Sequence, residues 1–273
     1  MAAAAAALSI SLHHLAQFDK VPPSDSIMTT VPDTHVSLTV TYTVPEGAKA
    51  EDYMSKFYAG ARAFNSTLYY GYATNGNTLM CRQGYQNAED FFAYLKEVYS
   101  CQPGDGFTII FSGPKEELDK IRPKMTGDIQ GNFTFAKLDG DNMLLGSLPE
   151  STPDTHVTIF PEFTVPQGKM EEFKAGFKKF YTATKNGTKE CLYYGFAEAG
   201  DKVWCREGYT GAQGVLDHLT DVKEPLDEAL KIVGEGGLKL SIIGPATELE
   251  KLKPALSPIG AVFWELDSQA FWK

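Results

Sequence analysis

The sequence predicts an α+β protein made of two copies of one βαββαβ unit. Three observations carry this: an internal repeat with a period above 100 residues, strand-type alternation at matching places in both copies, and helix-type apolar stripes between the strands. Pro32-Asp33-Thr34-His35-Val36 recurs as Pro153-Asp154-Thr155-His156-Val157, and Val44-Pro45-Glu46-Gly47 as Val165-Pro166-Gln167-Gly168, both at an offset of 121. Leu68-Tyr69-Tyr70-Gly71-Tyr72 recurs as Leu192-Tyr193-Tyr194-Gly195-Phe196, and Cys81-Arg82-Gln83-Gly84-Tyr85 as Cys205-Arg206-Glu207-Gly208-Tyr209, at an offset of 124. Gly113-Pro114 matches Gly244-Pro245 at 131, so insertions accumulate in the second copy. These matches place an Ala-rich extension at 1–31, the first copy at 32–139, a linker rich in Gly, Asp, Asn, Ser and Pro at 140–152, and the second copy at 153–273.

In the second copy, Val157, Ile159, Phe163 and Val165 keep the alternation of a half-buried strand, which Pro166-Gln167-Gly168 ends. Met170, Phe173, Phe177 and Phe180 follow at intervals of three and four, the stripe of one amphipathic helix. Cys191 to Glu198 and Val203 to Tyr209 read as strands around Ala199-Gly200-Asp201-Lys202, with Gly where a tight hairpin needs positive φ. Val215, Leu216, Leu219 and Val222 mark the second helix, Leu226 to Val233 extends or follows it, and Leu238 to Ile243 is a strand. A short helix at Glu248 to Leu252 leads to a last strand near Val262 to Leu266. The first copy shows the same order, with a loop at Tyr99 to Gly106 where the second has helical Lys223 to Gly236. This order is the split βαβ, ferredoxin-like unit.

The order, with the strand residues Leu-Tyr-Tyr-Gly and Cys-Arg-[Glu/Gln]-Gly-Tyr followed by a helix, resembles the dimeric α/β-barrel superfamily, and within it the antibiotic-biosynthesis-monooxygenase-like domains, over Thr34 to Leu138 and Thr155 to Asp267. The resemblance implies that two ferredoxin-like domains pack sheet to sheet as an intramolecular barrel, and that the chain is a monomer with pseudo-dimeric repeats. It also implies chemistry of the cofactor-free oxygenase or cyclase kind, with haem degradation a minor option because Trp204 and His218 lack an accompanying Asn.

Composition narrows the classes. With 43% hydrophobic and 22% charged residues the chain carries material for packed cores, and a net charge of −10 argues against gripping nucleic-acid backbone or anionic lipid. Four dispersed cysteines form neither a disulfide framework nor a zinc-ligand spacing, so no metal is expected. The opening to Phe18 has no basic residue for a secretory signal and is not apolar enough to span a bilayer. A cytoplasmic location follows, with organellar targeting by the Ala-rich extension left open. No dinucleotide, P-loop, serine-hydrolase, zinc-protease or EF-hand pattern occurs, and no cofactor is implied.

Alternation assigns the candidate site. His35, Ser37, Thr39, Thr41 and Thr43 face away from the apolar side of the first strand, and in the second copy the row is His156, Thr158, Phe160, Glu162 and Thr164. Either a ligand cavity or a solvated sheet face accounts for such polarity. Val203 and Cys205 read as helix-facing, which turns Trp204 and Arg206 to the same side as that row. Arg206 could clamp an oxyanion, or pair with Glu162 to tie strands together. Trp204 and Tyr194 could hold an aromatic ring, or simply pack. His156 and His218 are the candidate bases, since imidazole titrates near neutral pH. The alternatives are a strand cap shared with His35 and a solvated or hydrogen-bonded helix position. The copies differ in a directed way: Trp204, Glu207 and His218 stand where the first copy has Met80, Gln83 and Tyr94. The reading is a small-molecule enzyme with its pocket in the second copy: His156 or His218 takes a proton from an aromatic or polyketide-like substrate and Arg206 stabilises the oxyanion. The alternative is a non-catalytic ligand-binding or assembly module.

Overall fold

The computed structural model describes residues 35–64, 67–98, 107–128, 131–145, 154–187 and 190–272. The extension at 1–31, the loop at Tyr99 to Gly106 and most of the linker lie outside them. The chain is mixed α+β and divides into two compact units that follow the repeats with some exchange of segments. The first comprises Thr34–Leu138 with Pro149–Thr155 and Trp264–Lys273, and the second includes Asp139–Leu148 and His156–Phe263.

In the first unit the order is β1 (Val36–Thr43), α1 (Ala50–Ala63), β2 (Thr67–Asn75), β3 (Thr78–Tyr85), α2 (Ala88–Val98), β4 (Phe107–Gly113), α3 (Lys115–Asp128) and β5 (Asn132–Leu145). β1 lies between β3 and β4, and β2 pairs with β3, all antiparallel, while β5 runs parallel to β4. β5 continues to Leu145, through residues the composition assigned to linker. Gly and Asp there are accommodated because strand pairing, not local propensity, decides the conformation.

The second unit repeats the order: β6 (Val157–Thr164), α4 (Met170–Lys174), α5 (Phe177–Asn186), β7 (Cys191–Ala199), β8 (Lys202–Tyr209), α6 (Ala212–Asp221), α7 (Lys223–Val233), β9 (Leu238–Gly244) and α8 (Ala246–Leu256). β6 sits between β8 and β9, and β7 pairs with β8, again antiparallel. The stripe Met170, Phe173, Phe177, Phe180 forms two helices instead of one, broken at Ala175-Gly176, yet Phe173, Phe177 and Phe180 all reach the core. Two short strands complete the chain, β10 (Val262–Leu266) and β11 (Phe271–Trp272); β11 returns to the first unit, where Phe271 pairs with Tyr70.

Each core lies between one sheet face and its helices. In the second unit Val157, Ile159, Phe163, Val203 and Cys205 meet Phe177, Val215 and Leu219; in the first, Val36, Leu38, Leu79 and Cys81 meet Phe57, Phe91 and Ile121. Tyr194 belongs to the helix-facing core because the two-residue hairpin turn sets it opposite Glu207. A β-bulge between Cys191 and Tyr193 shifts the alternation, and the same bulge lies between Thr67 and Tyr69.

Candidate functional site

The two faces of the second unit's sheet separate the candidate residues. On the face away from the helices lie His156, Trp204, Arg206, Glu162 and the half-buried Phe160. His156 Nε2 is 3.1 Å from the Tyr193 hydroxyl, and Thr158 Oγ1 is 3.0 Å from both. The first unit repeats the pair, with His35 Nε2 3.2 Å from the Tyr69 hydroxyl. Burial, at 1% exposure for His156, and recurrence in both copies fit a clasp reaching from the start of β6 across β8 to β7. Glu162 takes Lys202 Nζ at 2.9 Å and the Trp204 indole N–H at 3.2 Å, so the pairing considered between Glu162 and Arg206 is replaced by one between adjacent strands. In the first unit Arg82 donates to Asp154 at 3.0 Å, in a salt bridge buried on both sides.

On the opposite, helix-facing side lie His218 and Tyr194. A single pocket holding His218, Tyr194, Trp204 and Arg206 together is therefore not what the structure builds. The cause is geometric: Tyr194 is the cross-strand partner of Glu207, while Trp204 is the partner of Ala197. Of the solvated and hydrogen-bonded alternatives for His218, the structure has the second, because α6 carries it beneath the helices at 3% exposure.

What His218 meets there is Glu207, at 3.1 Å from Nε2 to Oε2. Tyr209 donates its hydroxyl hydrogen to the same carboxylate oxygen at 2.5 Å. Thr184 Oγ1 donates to the Phe180 carbonyl at 2.9 Å and lies 3.4 Å from His218 Nδ1. With its own hydrogen spent on that carbonyl, Thr184 can only accept, which places a hydrogen on Nδ1 and directs Nε2 at Glu207. Two acceptors then face each other across 3.1 Å unless one proton lies between them. One proton between them makes this contact a hydrogen bond between two buried side chains. Burial pushes the Tyr194 and Tyr209 phenols and the Cys205 thiol well above their ordinary values, with Glu207's charge adding to each, so these neighbours stay protonated.

The pair opens on a cavity of about 50 Å³ with otherwise largely apolar walls that include Ile159, Phe163, Phe180, Phe196, Leu219 and Leu240. Phe180 also forms part of a cleft of about 370 Å³ between α4, α5 and α7, where Lys179 pairs with Glu228 at 2.7 Å. The first unit has a corresponding cavity with Gln83 and Tyr94 in place of Glu207 and His218. The sequence assigns no site role to Glu207, Thr184 or Tyr209, and marks Glu207 only as a difference between the copies. The signal for the first was there, since Glu207 and His218 change together between the copies. Among the described residues no group of three or more His, Cys, Asp or Glu is placed to hold a metal ion, and no helix is long and apolar enough to cross a membrane.

No family model and no curated protein matches the chain. Among solved structures it is similar to MupZ from Pseudomonas fluorescens, at 34% identity over 42% of this chain and 92% of that one, with a TM-score of 0.39. It is also similar to a protein of Lactobacillus acidophilus NCFM described as a candidate monooxygenase, at 13% identity over 76% and 92% of the two chains, with a TM-score of 0.48. A third is an anthrone oxidase-like protein, at 12% identity over 77% and 92%, with a TM-score of 0.39.

Proposed function

We propose that the second unit is a small-molecule enzyme that abstracts a proton from an acidic C–H or phenolic O–H, with Glu207 and His218 acting as one base. The observation that carries this reading is the buried pair facing an apolar cavity at the one place where the first unit has two groups that cannot take up a proton near neutral pH. The two groups lie 3.1 Å apart, so a proton removed from substrate is taken up by the pair. Tyr209 and Thr184 fix its geometry, and Tyr194 offers an aromatic wall. Arg206 lies on the other sheet face and takes no part in this step.

An aromatic or polyketide-like substrate follows from the sequence resemblance and from the apolar walls. Size sets a condition: a dry cavity of roughly 150 Å³ accepts benzene, so one of about 50 Å³ must enlarge before it takes a ring. Rotation of Phe180 would join the cavity to the outer cleft. The resulting carbanion or phenolate could close a ring or react with dioxygen; the residues described supply the proton step. Under this reading the two copies follow the ferredoxin-like plan, and no cofactor enters the step.

The test uses anthrone and a naphthohydroquinone as probes, with dioxygen uptake and product followed together. The variants Glu207→Gln and His218→Tyr install the first unit's own residues, so the fold should tolerate them. Each should lower turnover by roughly 10²-fold or more with little change in melting temperature. Unchanged turnover in both would remove the pair from the chemistry. If the parent turns over neither these probes nor a polyketide substrate, the ligand-binding or assembly module takes the enzyme's place.

A further inference from the structure

We propose that the first unit carries a second, non-catalytic binding site, for a compact uncharged molecule that is apolar except for one hydrogen-bond acceptor, with the Tyr72 hydroxyl as its donor. The site is the cavity of about 70 Å³ between the sheet and helices of that unit, larger than its counterpart in the second. Its walls include Leu38, Val40, Phe57, Phe91 and Met125 with the phenols of Tyr72 and Tyr94, and no Asp, Glu, His, Lys or Arg lines it.

A proton count selects Tyr72. The Tyr70 hydroxyl donates to that of Tyr72 at 3.4 Å and lies 2.8 Å from that of Tyr94. Having spent its hydrogen on Tyr72, Tyr70 can only accept from Tyr94. Tyr72, at the end of this chain, receives a hydrogen bond while its own hydrogen is directed to no described protein atom. Tyr58 takes the Tyr72 backbone N–H at 2.9 Å and leaves the phenol of Tyr72 aside. Gln83, which replaces the carboxylate of the other copy, is occupied by the Tyr85 hydroxyl at 2.8 Å and the Cys81 thiol at 3.3 Å. Tyr72 is 8% exposed, and burial raises its pKa well above the ordinary phenol value, with Cys81 and Tyr94 adding to the effect.

The ligand's chemistry follows. A charged guest would find no counter-charge and pay its full desolvation. Water is a poor guest, since it needs two to four polar partners, and of the polar side chains lining the cavity Tyr42, Gln83 and Tyr94 are engaged elsewhere. A small ketone or cyclic ether satisfies the donor with one oxygen and the walls with its carbons, and since about 70 Å³ is below the roughly 150 Å³ that accepts benzene, the walls must give way before a five-membered ring enters. Nothing in this site draws on Glu207 or His218, so it stands apart from the proton-abstraction reading and needs no activity assay.

Cyclopentanone is the probe and cyclopentane its partner without an acceptor, each titrated into the intact protein while the methyl resonances of Met125, Val98 and Ile109 are followed by NMR. Cyclopentanone should shift these methyls saturably, and Tyr72→Phe should weaken it about 3- to 10-fold, the worth of one net hydrogen bond, while leaving cyclopentane unaffected. A thermal melt of the variant separates lost binding from lost structure, and Tyr94→Phe, which keeps the Tyr72 donor, should retain cyclopentanone binding. Absence of saturable shifts, or equal affinity of parent and Tyr72→Phe for cyclopentanone, overturns the proposal. So does a response confined to the methyls of Leu219 and Leu226 in the second unit.

Discussion

A methyl group added at Gly208 would stand 2.5 Å from Cε1 and Cζ of Tyr193, and one at Gly84 would stand 2.4 Å from Cε1 of Tyr69. Glycine in the repeated Cys-Arg-[Glu/Gln]-Gly-Tyr motif is thus the floor on which the first tyrosine of Leu-Tyr-Tyr-Gly lies, and that tyrosine holds the histidine of the repeated Thr-His. Gly208→Ala should destabilise the protein by about 1–3 kcal/mol through overpacking, measured by urea unfolding. His156→Ala should likewise lower the melting temperature while turnover persists, the reverse of His218→Tyr; loss of turnover alone would make the strand histidine the base. Burial pushes the Cys81 thiol up to about 12 and raises that of Cys205, so both should resist a thiol reagent in the native protein and react on unfolding. At this scale the sequence reveals which residues recur but not which of them touch. The repeat marks Tyr193, Gly208 and His156 as a set, whereas the contact between Glu207 and His218 depends on how β8 and α6 are packed. A stripe margin leaves open whether a helix residue turns outward or under the helix, and His218 turns under.

Among the elements, the strands and the order of helices were legible because period-2 and period-3.6 patterns are strong in both copies. The breaks were less so. Ala175-Gly176 splits one apolar stripe into α4 and α5 without moving its phenylalanines out of the core, and the bulge before Tyr193 puts Cys191 on the same face as Tyr194 and Phe196, which strict alternation would not. Another device recurs with the Gly-Pro landmark. Glu117 accepts the backbone N–H of Ala88 at 2.7 Å, and Glu248 accepts that of Ala212 at 2.8 Å, so a carboxylate from α3 or α8 caps the start of the neighbouring helix. For Glu248, burial alone would raise the pKa, but the bonds from Lys251 and the Ala212 N–H outweigh it and the net shift is downward. A depressed folded-state value means the contribution is present above the unfolded value of about 4.3 and is lost as pH falls through the folded one. Glu248→Gln should therefore cost about 1 kcal/mol at pH 7 and should lessen the fall of the melting temperature between pH 5 and pH 3. A parallel acid limb in parent and variant would exclude this cap from the acid response.

For the whole molecule, the repeat says that one chain supplies two copies of a unit, and the copies differ in what lines their cavities, Glu207 and His218 in one against Gln83 and Tyr94 in the other. Each unit closes its own core, and the proton-bearing pair is confined to one of them. We propose that the chain functions as a monomer. Stable interfaces bury roughly 1,200–2,000 Å² with an apolar centre, and among the described residues Val262, at 43% exposure, is the exposed large hydrophobic side chain. A single such residue does not make a patch of the size that marks a docking surface, and a net charge of −10 adds mutual repulsion between copies. Light scattering across a wide concentration range should therefore give the mass of one chain at low salt, and raising the salt to screen the repulsion should not produce a dimer. A concentration-independent dimer that dissociates only on unfolding would show that a second chain completes the structure, and the pairing would then have to be sought between chains.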